Sequence, residues 1–306
     1  MWVLFAFGSA LFAGLTAVLA KIGVRDVDSN LATALRTVVV LAFSWLMVLI
    51  AGAWQPLSSI EGRALLFLAL SGLATGASWL CYFRALQLGE VNRVAAVDKS
   101  STVLTMLLAL ILLGEGLTPI KIAAMALIAV GTGLMLQTGR PHDSAASDAD
   151  RQKTSAPGRA KAASLKTSGR WFLYALGSAV FASLTTILGK VGIEGVNSTL
   201  GTALRTAVVL VMAWGMVFLT GAQRGIGKIS RRTWLFLLLS GIATGASWLC
   251  YYHALREGPA SAVAPIDKLS ILVTAAFSRL WLGEKLSARS LGGLGLLTAG
   301  TLMTLL

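Results

Sequence analysis

The sequence predicts an all-α polytopic membrane protein with ten transmembrane helices, arranged as two inverted five-helix repeats. The chain of 306 residues is 56% hydrophobic and only 13% charged, with a mean hydropathy of +0.77, whereas soluble proteins carry about 25% charged residues. Residues 1–137 align without a gap on residues 170–306, and about 63 of the 137 pairs are identical. Each copy contains five apolar segments of the length that a spanning helix needs.

These five segments are each close to the ~20 residues that cross a bilayer. In the first copy they are 2–20, 31–51, 64–83, 94–113 and 119–136, and in the second copy they are 171–189, 200–220, 233–252, 262–282 and 289–306. Turns at 52–56 and 221–227, rich in glycine and proline, separate the second segment from the third. Thr118–Pro119 and Ser287 have the residue types of helix starts.

Residues 138–169 differ in composition from both copies, because they are rich in Ala, Ser, Lys, Arg and Asp and contain almost no large apolar side chains. Such a segment is predicted to be a flexible, water-exposed linker. The chain therefore divides into a first repeat at 1–137, a linker at 138–169 and a second repeat at 170–306.

The odd number of predicted crossings places the second repeat upside down relative to the first. With the N-terminus outside, about 17 basic residues are cytoplasmic and about 4 are not, as the positive-inside rule requires. Loop 52–63 carries one basic residue, whereas its copy 221–232 carries four. The net charge of +13 is therefore explained by topology, and nucleic acid is not expected as a partner.

Charged and aromatic residues within the predicted spans recur in both copies. Charges are costly inside a bilayer and mark functional positions there. In each copy they fall at one depth, and inversion places the two layers near opposite faces. The members of the layers are Arg36, Trp79, Tyr82, Asp98 and Lys99 in the first copy and Arg205, Trp248, Tyr251, Asp267 and Lys268 in the second.

A stripe of polar residues follows the third helix of each copy. Ser71, Thr75, Ser78 and Tyr82 are separated by four, three and four residues, so they share one helix face. Such a stripe must face protein or water rather than lipid. We therefore predict that the charged layers and these stripes line a substrate and proton pathway between the copies. The corresponding stripe residues of the second copy are Thr244 and Ser247.

Structural interpretations stand beside these functional ones. Arg36 and Asp98 alternatively neutralise each other as a structural ion pair. Trp79 and Trp248 are alternatively aromatic residues of the membrane interface.

Two further pairs of charges are assigned to structure rather than to substrate binding. Lys21 and Lys190 are expected to extend to the lipid headgroups. Glu115 and Glu284 end the fourth helices, where the helix dipole disfavours an acid, and a local partner is expected to hold them.

Several of these features resemble the EamA family of the drug/metabolite transporter superfamily. They are the five-helix repeat, the arginine of Ala34-Leu35-Arg36-Thr37, and the fourth-helix ends Leu113-Gly114-Glu115 and Leu282-Gly283-Glu284. The resemblance covers both copies and implies a polytopic transporter that moves small metabolites, often outward. Ten-helix members usually keep both termini in the cytoplasm, whereas the loop charges here favour both termini outside.

The sequence and this resemblance predict a secondary transporter in the bacterial inner membrane that works by alternating access, without ATP. Cationic residues beside aromatic ones favour an exported amino acid or a similar amphipathic solute as the substrate. We hypothesise that Asp98 and Asp267 bind a proton or the substrate in turn. A lipid or lipid-headgroup flippase and a purely structural membrane scaffold are the alternatives.

No enzyme activity, cofactor or metal is expected. The two histidines, His142 and His253, and the two cysteines, Cys81 and Cys250, lack the spacing of metal ligands. The sequence also lacks a Walker-type phosphate loop. The expected partners are therefore a small-molecule substrate, the lipid bilayer and a coupling proton or ion.

Overall fold

A computed structural model of the chain describes residues 1–23, 27–88, 94, 97, 100–116, 118–136, 170–281 and 288–306. Eleven α-helices follow one another within these residues, with 3-10 turns at 57–59 and 222–228. The helices are α1 (Trp2–Gly23), α2 (Ser29–Ile50), α3 (Gly62–Leu88), α4 (Ser101–Leu112), α5 (Pro119–Leu136), α6 (Arg170–Gly192), α7 (Ser198–Thr220), α8 (Arg231–Glu257), α9 (Ala260–Lys268), α10 (Ser270–Trp281) and α11 (Ala288–Met303).

Most of the described chain lies in apolar helices. Among the described residues, seven helical stretches are long and apolar enough to cross a membrane, and they are Trp2–Ala20, Ser29–Ile50, Gly62–Tyr82, Arg170–Gly192, Ser198–Thr220, Arg231–Glu257 and Ala260–Phe277. Two shorter apolar helices, Ser101–Leu112 and Pro119–Leu134, occupy further predicted segments, and α11 occupies the last. The prediction of an all-helical polytopic membrane protein is confirmed.

Three predicted segments differ clearly from the observed helices. The segment 262–282 is not one continuous helix, because α9 ends at Lys268 and α10 begins at Ser270. Pro265 lies inside α9, where its ring removes a backbone donor and clashes with the preceding turn. The third helices of both copies are longer than predicted, since α3 continues beyond 83 to Leu88 and α8 continues beyond 252 to Glu257. His253 is therefore part of α8.

The helix ends repeat between the copies as the helices do. Side-chain oxygens of Asp28 and Asn197 accept hydrogen bonds from the first-turn N–H groups of α2 and α7, which caps both helices. Gly52 and Gly221 follow the same two helices with φ of 58° and 71°. This left-handed conformation disfavours any side chain, so glycine ends both helices at equivalent places.

The two copies exchange helices: the first helix of each copy packs against the third helix of the other. α1 packs along α8, and the copied pair α6 and α3 packs in the same way. The Ser247 hydroxyl donates to the backbone carbonyl of Ser9 at 3.1 Å, and the hydroxyl oxygens of Thr16 and Thr244 lie 3.3 Å apart. Residue numbers therefore rise along α1 while they fall along α8, so the two helices are antiparallel.

The second pair reproduces this geometry. The Ser78 hydroxyl donates to the carbonyl of Ser178 at 3.0 Å, and the Ser71 hydroxyl donates to the carbonyl of Thr185 at 2.7 Å. Because α2 returns the chain between them, α1 and α3 cross in the same direction. An α8 that is antiparallel to α1 therefore runs opposite to its own copy α3, which is the inverted arrangement.

Glycines allow the helices of the two copies to approach closely. A β-carbon on Gly72 would lie 2.7 Å from the β-carbon of Val208 in α7, and Gly76 meets α7 one turn later. The copied contact is as close, because a β-carbon on Gly241 would lie 2.6 Å from that of Val39. Gly72 and Gly76 therefore form a small-residue packing motif at the contact between α3 and α7.

The membrane face at which α1 begins and α8 ends is named the terminal face, and the opposite one the linker face. The ring of Trp2 packs against Gly258 at the terminal face, where a β-carbon would lie 2.6 Å from the ring. Fully buried Ala254, Leu255 and Ala260 belong to the apolar cluster that fills the space between α1, α8 and α9. This part of the described protein is tightly packed.

The inverted arrangement predicts that two equivalent loop residues face opposite sides of the membrane. Ser59 lies between α2 and α3, and its copy Lys228 lies between α7 and α8; both are exposed. In a protein whose native cysteines Cys81 and Cys250 are replaced by alanine, we expect Ser59→Cys and Lys228→Cys to react with a membrane-impermeant thiol reagent from opposite sides. Labelling of both cysteines from the same side would contradict the inversion.

Candidate functional site

A central cavity of about 270 Å³ lies between the two copies. It contains both charged and aromatic side chains, contributed by α1, α3, α6, α7, α8 and α9. The residues that line it are Ala13, Thr75, Ser78, Trp79, Ala182, Thr185, Thr186, Arg205, Ser247, Trp248, Tyr251, Tyr252, Asp267 and Lys268. Both repeats contribute, so the cavity exists only where they meet.

Arg205 is the most deeply buried charge of the cavity, with 2% of its surface exposed. Its Nε donates to the Ser71 hydroxyl at 2.9 Å, and one terminal nitrogen donates to the Thr75 hydroxyl at 2.5 Å. The guanidinium also lies over the rings of Trp248 and Tyr252, at 5.1 and 4.8 Å from their centroids. These contacts fix its position without neutralising its charge.

One donor of this guanidinium is unused. Nη1 of Arg205 is buried and has no hydrogen-bond partner among the described residues. Buried polar groups are normally hydrogen-bonded, and an unpaired donor beside a cavity indicates a ligand or water. A carboxylate or phosphate is the natural partner, because its oxygens match the guanidinium geometry.

Asp267 and Lys268 end α9 and line the same cavity. The Ser9 hydroxyl donates to Oδ1 of Asp267 at 2.6 Å, and it lies 3.2 Å from the Ser247 hydroxyl. Lys268 has no hydrogen-bond or ion-pair partner in the part of the chain that the structure describes. The break at Leu269 follows directly, so both charges stand at the end of a short helix rather than in the middle of a long one.

Aromatic side chains from both repeats complete the lining. Trp79 belongs to the first copy, and Trp248 is its equivalent in the second. The Tyr251 hydroxyl lies 2.9 Å from the hydroxyl of Thr186 in α6, and its ring packs edge-on against that of Tyr252. The cavity thus presents apolar faces beside charged groups.

A second cavity of about 230 Å³ adjoins the central cavity and shares Ala13 and Lys268 with it. Its other lining residues are mostly apolar or threonine, and they are Ala17, Thr102, Ile128, Thr132, Pro265, Ser270, Ile271, Thr274, Leu297 and Thr301. Lys268 therefore stands where a polar space meets a more apolar one.

The structure brings together most of the residues that the sequence nominated. Those that line the central cavity are Thr75, Ser78, Trp79, Arg205, Ser247, Trp248, Tyr251, Asp267 and Lys268. Arg36, Tyr82 and Thr244 do not line it. Asp98 and Lys99 lie outside the described residues, so their pathway role and the Arg36–Asp98 ion pair stay predictions.

The two copied arginines differ in their surroundings. Nε of Arg36 is buried without a hydrogen-bond partner among the described residues, and Arg36 is more exposed than Arg205. Tyr252, which contacts Arg205, corresponds to Phe83 in the first copy. The first copy therefore has no hydroxyl at this position of its sequence.

Four polar or aromatic contributors to the site were not predicted from the sequence, namely Ser9, Thr185, Thr186 and Tyr252. Ser9 and Thr185 were detectable in principle, because they are hydroxyl residues repeated within the first helices of the two copies as Ser178 and Thr16. Their partners lie in the other copy, which no local pattern identifies.

Two of the four charges assigned to structure have partners that the sequence did not indicate. The Lys190 ammonium donates to the carbonyl of Leu255 at 3.0 Å and to that of Gly258, so the expectation that Lys190 reaches the headgroups is wrong. Glu115 binds the start of α9 in the other copy rather than a local group. Lys21 and Glu284 have no described side chain.

The family model of the EamA-like transporter family matches residues 1–137 and 169–306. The chain belongs to this family. Among curated proteins, the EamA-like chain is similar to an "Uncharacterized transporter in cobO 3'region" of Sinorhizobium sp, with 51% identity over 136 residues. This match covers 44% of the present chain and 96% of the relative, so the relative has the length of a single repeat.

A solved structure shares the fold of this EamA-like chain. The structure, titled "Crystal structure of protein", has a TM-score of 0.71 and 19% sequence identity, and the match covers 100% of the present chain and 98% of that one. At this identity the similarity concerns the fold alone. The family and its curated relative identify a membrane transporter.

Proposed function

We propose that this protein is a secondary transporter that exports amino acids or similar amphipathic solutes across a bacterial cytoplasmic membrane. The observation that carries the proposal is the central cavity, where an unpaired donor of Arg205, the Asp267 carboxylate and two tryptophans of opposite repeats share one space. Family membership supports the transport itself, and the outward direction is the one that the resemblance to this family implies.

Arg205 and Lys268 are the proposed partners of a substrate carboxylate. Nη1 of Arg205 is buried and unpaired, and Lys268 is without a partner among the described residues. A desolvated charge pair contributes more than an exposed one, because bulk water does not screen it. The part of the cavity near Arg205 in α7 and Lys268 in α9 therefore favours an anionic group of the substrate.

Asp267 is the proposed partner of a substrate ammonium or of a proton. One carboxylate oxygen is bound by the Ser9 hydroxyl, which fixes the orientation of the group without neutralising it. A carboxylate that binds a proton in one state and an ammonium in another would couple transport to a pH gradient. The copied residue Asp98 is proposed to act in the same way from the first repeat.

The apolar part of the solute is proposed to contact Trp79 and Trp248. A cavity of about 270 Å³ is at the small end of ligand sites, and the adjoining cavity of about 230 Å³ offers room for a larger apolar group. Because the two repeats are inverted copies, the protein has two related conformations. Rocking of one repeat against the other would expose the site first to one side of the membrane and then to the other.

Three ligands that differ by one charged group test this assignment. Phenylalanine, phenylethylamine without the carboxylate, and 3-phenylpropionate without the ammonium share the same ring and carbon spacing. A ligand that binds only the folded protein raises its unfolding temperature. At equal concentrations, we expect phenylalanine to raise the unfolding temperature of the purified protein more than either fragment does.

The same ligand serves in the transport assay. Proteoliposomes loaded with radiolabelled phenylalanine are expected to release it faster than protein-free vesicles, and an imposed pH gradient is expected to change the rate. Asp267→Asn should remove the effect of the gradient. Release at the protein-free rate, together with equal stabilisation by all three ligands, would contradict the proposed function.

A further inference from the structure

Glu115 of the first copy binds the start of α9 in the second copy. One carboxylate oxygen accepts a hydrogen bond from the backbone N–H of Ala260 at 2.6 Å, and the other accepts one from the N–H of Ser261 at 3.0 Å. These are the first two residues of α9. The sequence separation of 145 residues between Glu115 and Ala260 makes this a contact between the repeats.

The two hydrogen bonds of this contact are stronger than bonds between neutral groups. The first N–H groups of a helix have no partner inside the helix, and the helix dipole places partial positive charge there. A carboxylate that accepts two of these N–H groups makes charge-assisted hydrogen bonds, which are shorter and stronger than neutral ones. No other side chain hydrogen-bonds the start of α9 within the described residues.

The other side of the same junction is held by Lys190. Its ammonium donates to the carbonyl oxygens of Leu255 and Gly258 at the end of α8. An acid therefore binds the start of α9 and a base binds the end of α8, on either side of Pro259. Ala260 is completely buried at this point, so the junction belongs to the packed interior at the terminal face.

The junction also determines where the charges of the cavity stand. α9 is nine residues long, so Asp267 and Lys268 lie about 10 to 12 Å along the helix axis from its first residue. A short helix moves as a rigid body. Fixing its start therefore fixes the position of both charges in the central cavity.

We propose that Glu115 is a positioning residue that clamps α9 while the terminal face is closed and releases it when that face opens. The proposal rests on alternating access as the proposed function. Glu115 and α9 belong to different repeats, so a rocking motion of one repeat against the other must stretch or break these two hydrogen bonds. Their strength therefore sets the fraction of molecules that are open to the terminal face.

Glu115→Gln tests the clamp, because glutamine keeps the shape but loses the negative charge. Glu61→Gln is the matched control, since Glu61 is exposed at the same face and lies outside the junction. Hydrogen exchange of the purified protein reports directly on the amides of residues 260–261. We expect their exchange to be about tenfold faster in Glu115→Gln and unchanged in Glu61→Gln.

Accessibility of the cavity gives the second measurement. With Cys81 and Cys250 replaced by alanine, Ala182→Cys places a single thiol in the cavity lining. We expect Glu115→Gln to raise its labelling by an impermeant reagent about tenfold from the terminal face, but not from the linker face. Neither measurement requires a substrate, so both are informative even if phenylalanine is neither bound nor moved.

Three results would overturn the proposal. The first is wild-type exchange and labelling in a folded Glu115→Gln protein. The second is an equal rise of labelling from both faces, because a general loosening would produce it. If Glu115→Gln does not fold, Glu115→Asp keeps the charge but is too short to reach both N–H groups, and wild-type exchange in that variant would be the third.

Discussion

Replacement of Arg205 by glutamine is expected to abolish most of the binding of phenylalanine and its release from proteoliposomes. The guanidinium is 2% exposed and has one free donor at the cavity. Removing one partner of a desolvated, hydrogen-bonded charge pair costs about 2 to 5 kcal/mol of binding free energy. The affinity, measured by calorimetric titration, should therefore fall by about 30-fold or more.

The fold should survive this replacement. Without Arg205, the Ser71 hydroxyl still donates to the carbonyl of Thr185, and the Thr75 hydroxyl still donates to the carbonyl of Ser71. Removal of a buried charge can even stabilise a protein. The unfolding temperature of Arg205→Gln without ligand should accordingly stay close to that of the wild type.

Arg63→Gln is the matched control for the loss of charge. Arg63 is exposed and lies over the ring of Phe67, 5.8 Å from its centroid, outside the cavity. We expect it to bind phenylalanine as the wild type does. Arg205→Lys should be intermediate, because lysine keeps the charge but loses the planar contacts with Trp248 and Tyr252.

A folded Arg205→Gln protein with wild-type affinity would remove Arg205 from the substrate site. The charge would then serve only to join α7 to α3, through Ser71 and Thr75.

Gly131→Leu is expected to destabilise the protein strongly. α5 packs along α11, and a β-carbon on Gly131 would lie 2.6 Å from both the carbonyl oxygen of Gly293 and the backbone nitrogen of Leu297. Backbone atoms cannot rotate away as a side chain can. The free energy of unfolding should therefore fall by about 3 kcal/mol or more.

Gly133→Leu, two residues further along the same helix, is the matched control. A β-carbon there has no neighbour within 4 Å among the described residues, and leucine favours a helix over glycine by roughly 0.5 to 1 kcal/mol. When thermal unfolding is compared in one detergent, Gly131→Leu should lower the unfolding temperature. Gly133→Leu should raise it slightly or leave it nearly unchanged. Equal unfolding temperatures for the two variants would show that α5 and α11 do not pack as described.

The sequence alone predicted the helices well because their causes are local. Apolar length defined the spans, Pro119 marked the start of α5, and Gly52 and Gly221 marked turns that need a left-handed residue. The internal repeat added the inversion, since an odd number of crossings leaves no other orientation.

The partners of the polar residues could not be predicted in the same way. Ser9 with Asp267, and Glu115 with Ala260, are contacts between the repeats, and their sequence separation carries no periodic signal. The end of α9 at Lys268 was also missed, because apolar residues continue through the break and only Pro265 interrupts them. The repeat itself misled in one respect, since the copied arginines differ in burial and in partners.

The exchange of helices between the copies has a consequence for biosynthesis. Chains are made from the N-terminus, so α3 is complete before α6 exists. Until then, the hydroxyls of Ser71 and Ser78 lack the carbonyls that later accept from them. The first repeat must therefore remain in the membrane with these hydroxyls lacking their final acceptors. Its tertiary structure is completed only when the second repeat has been translated.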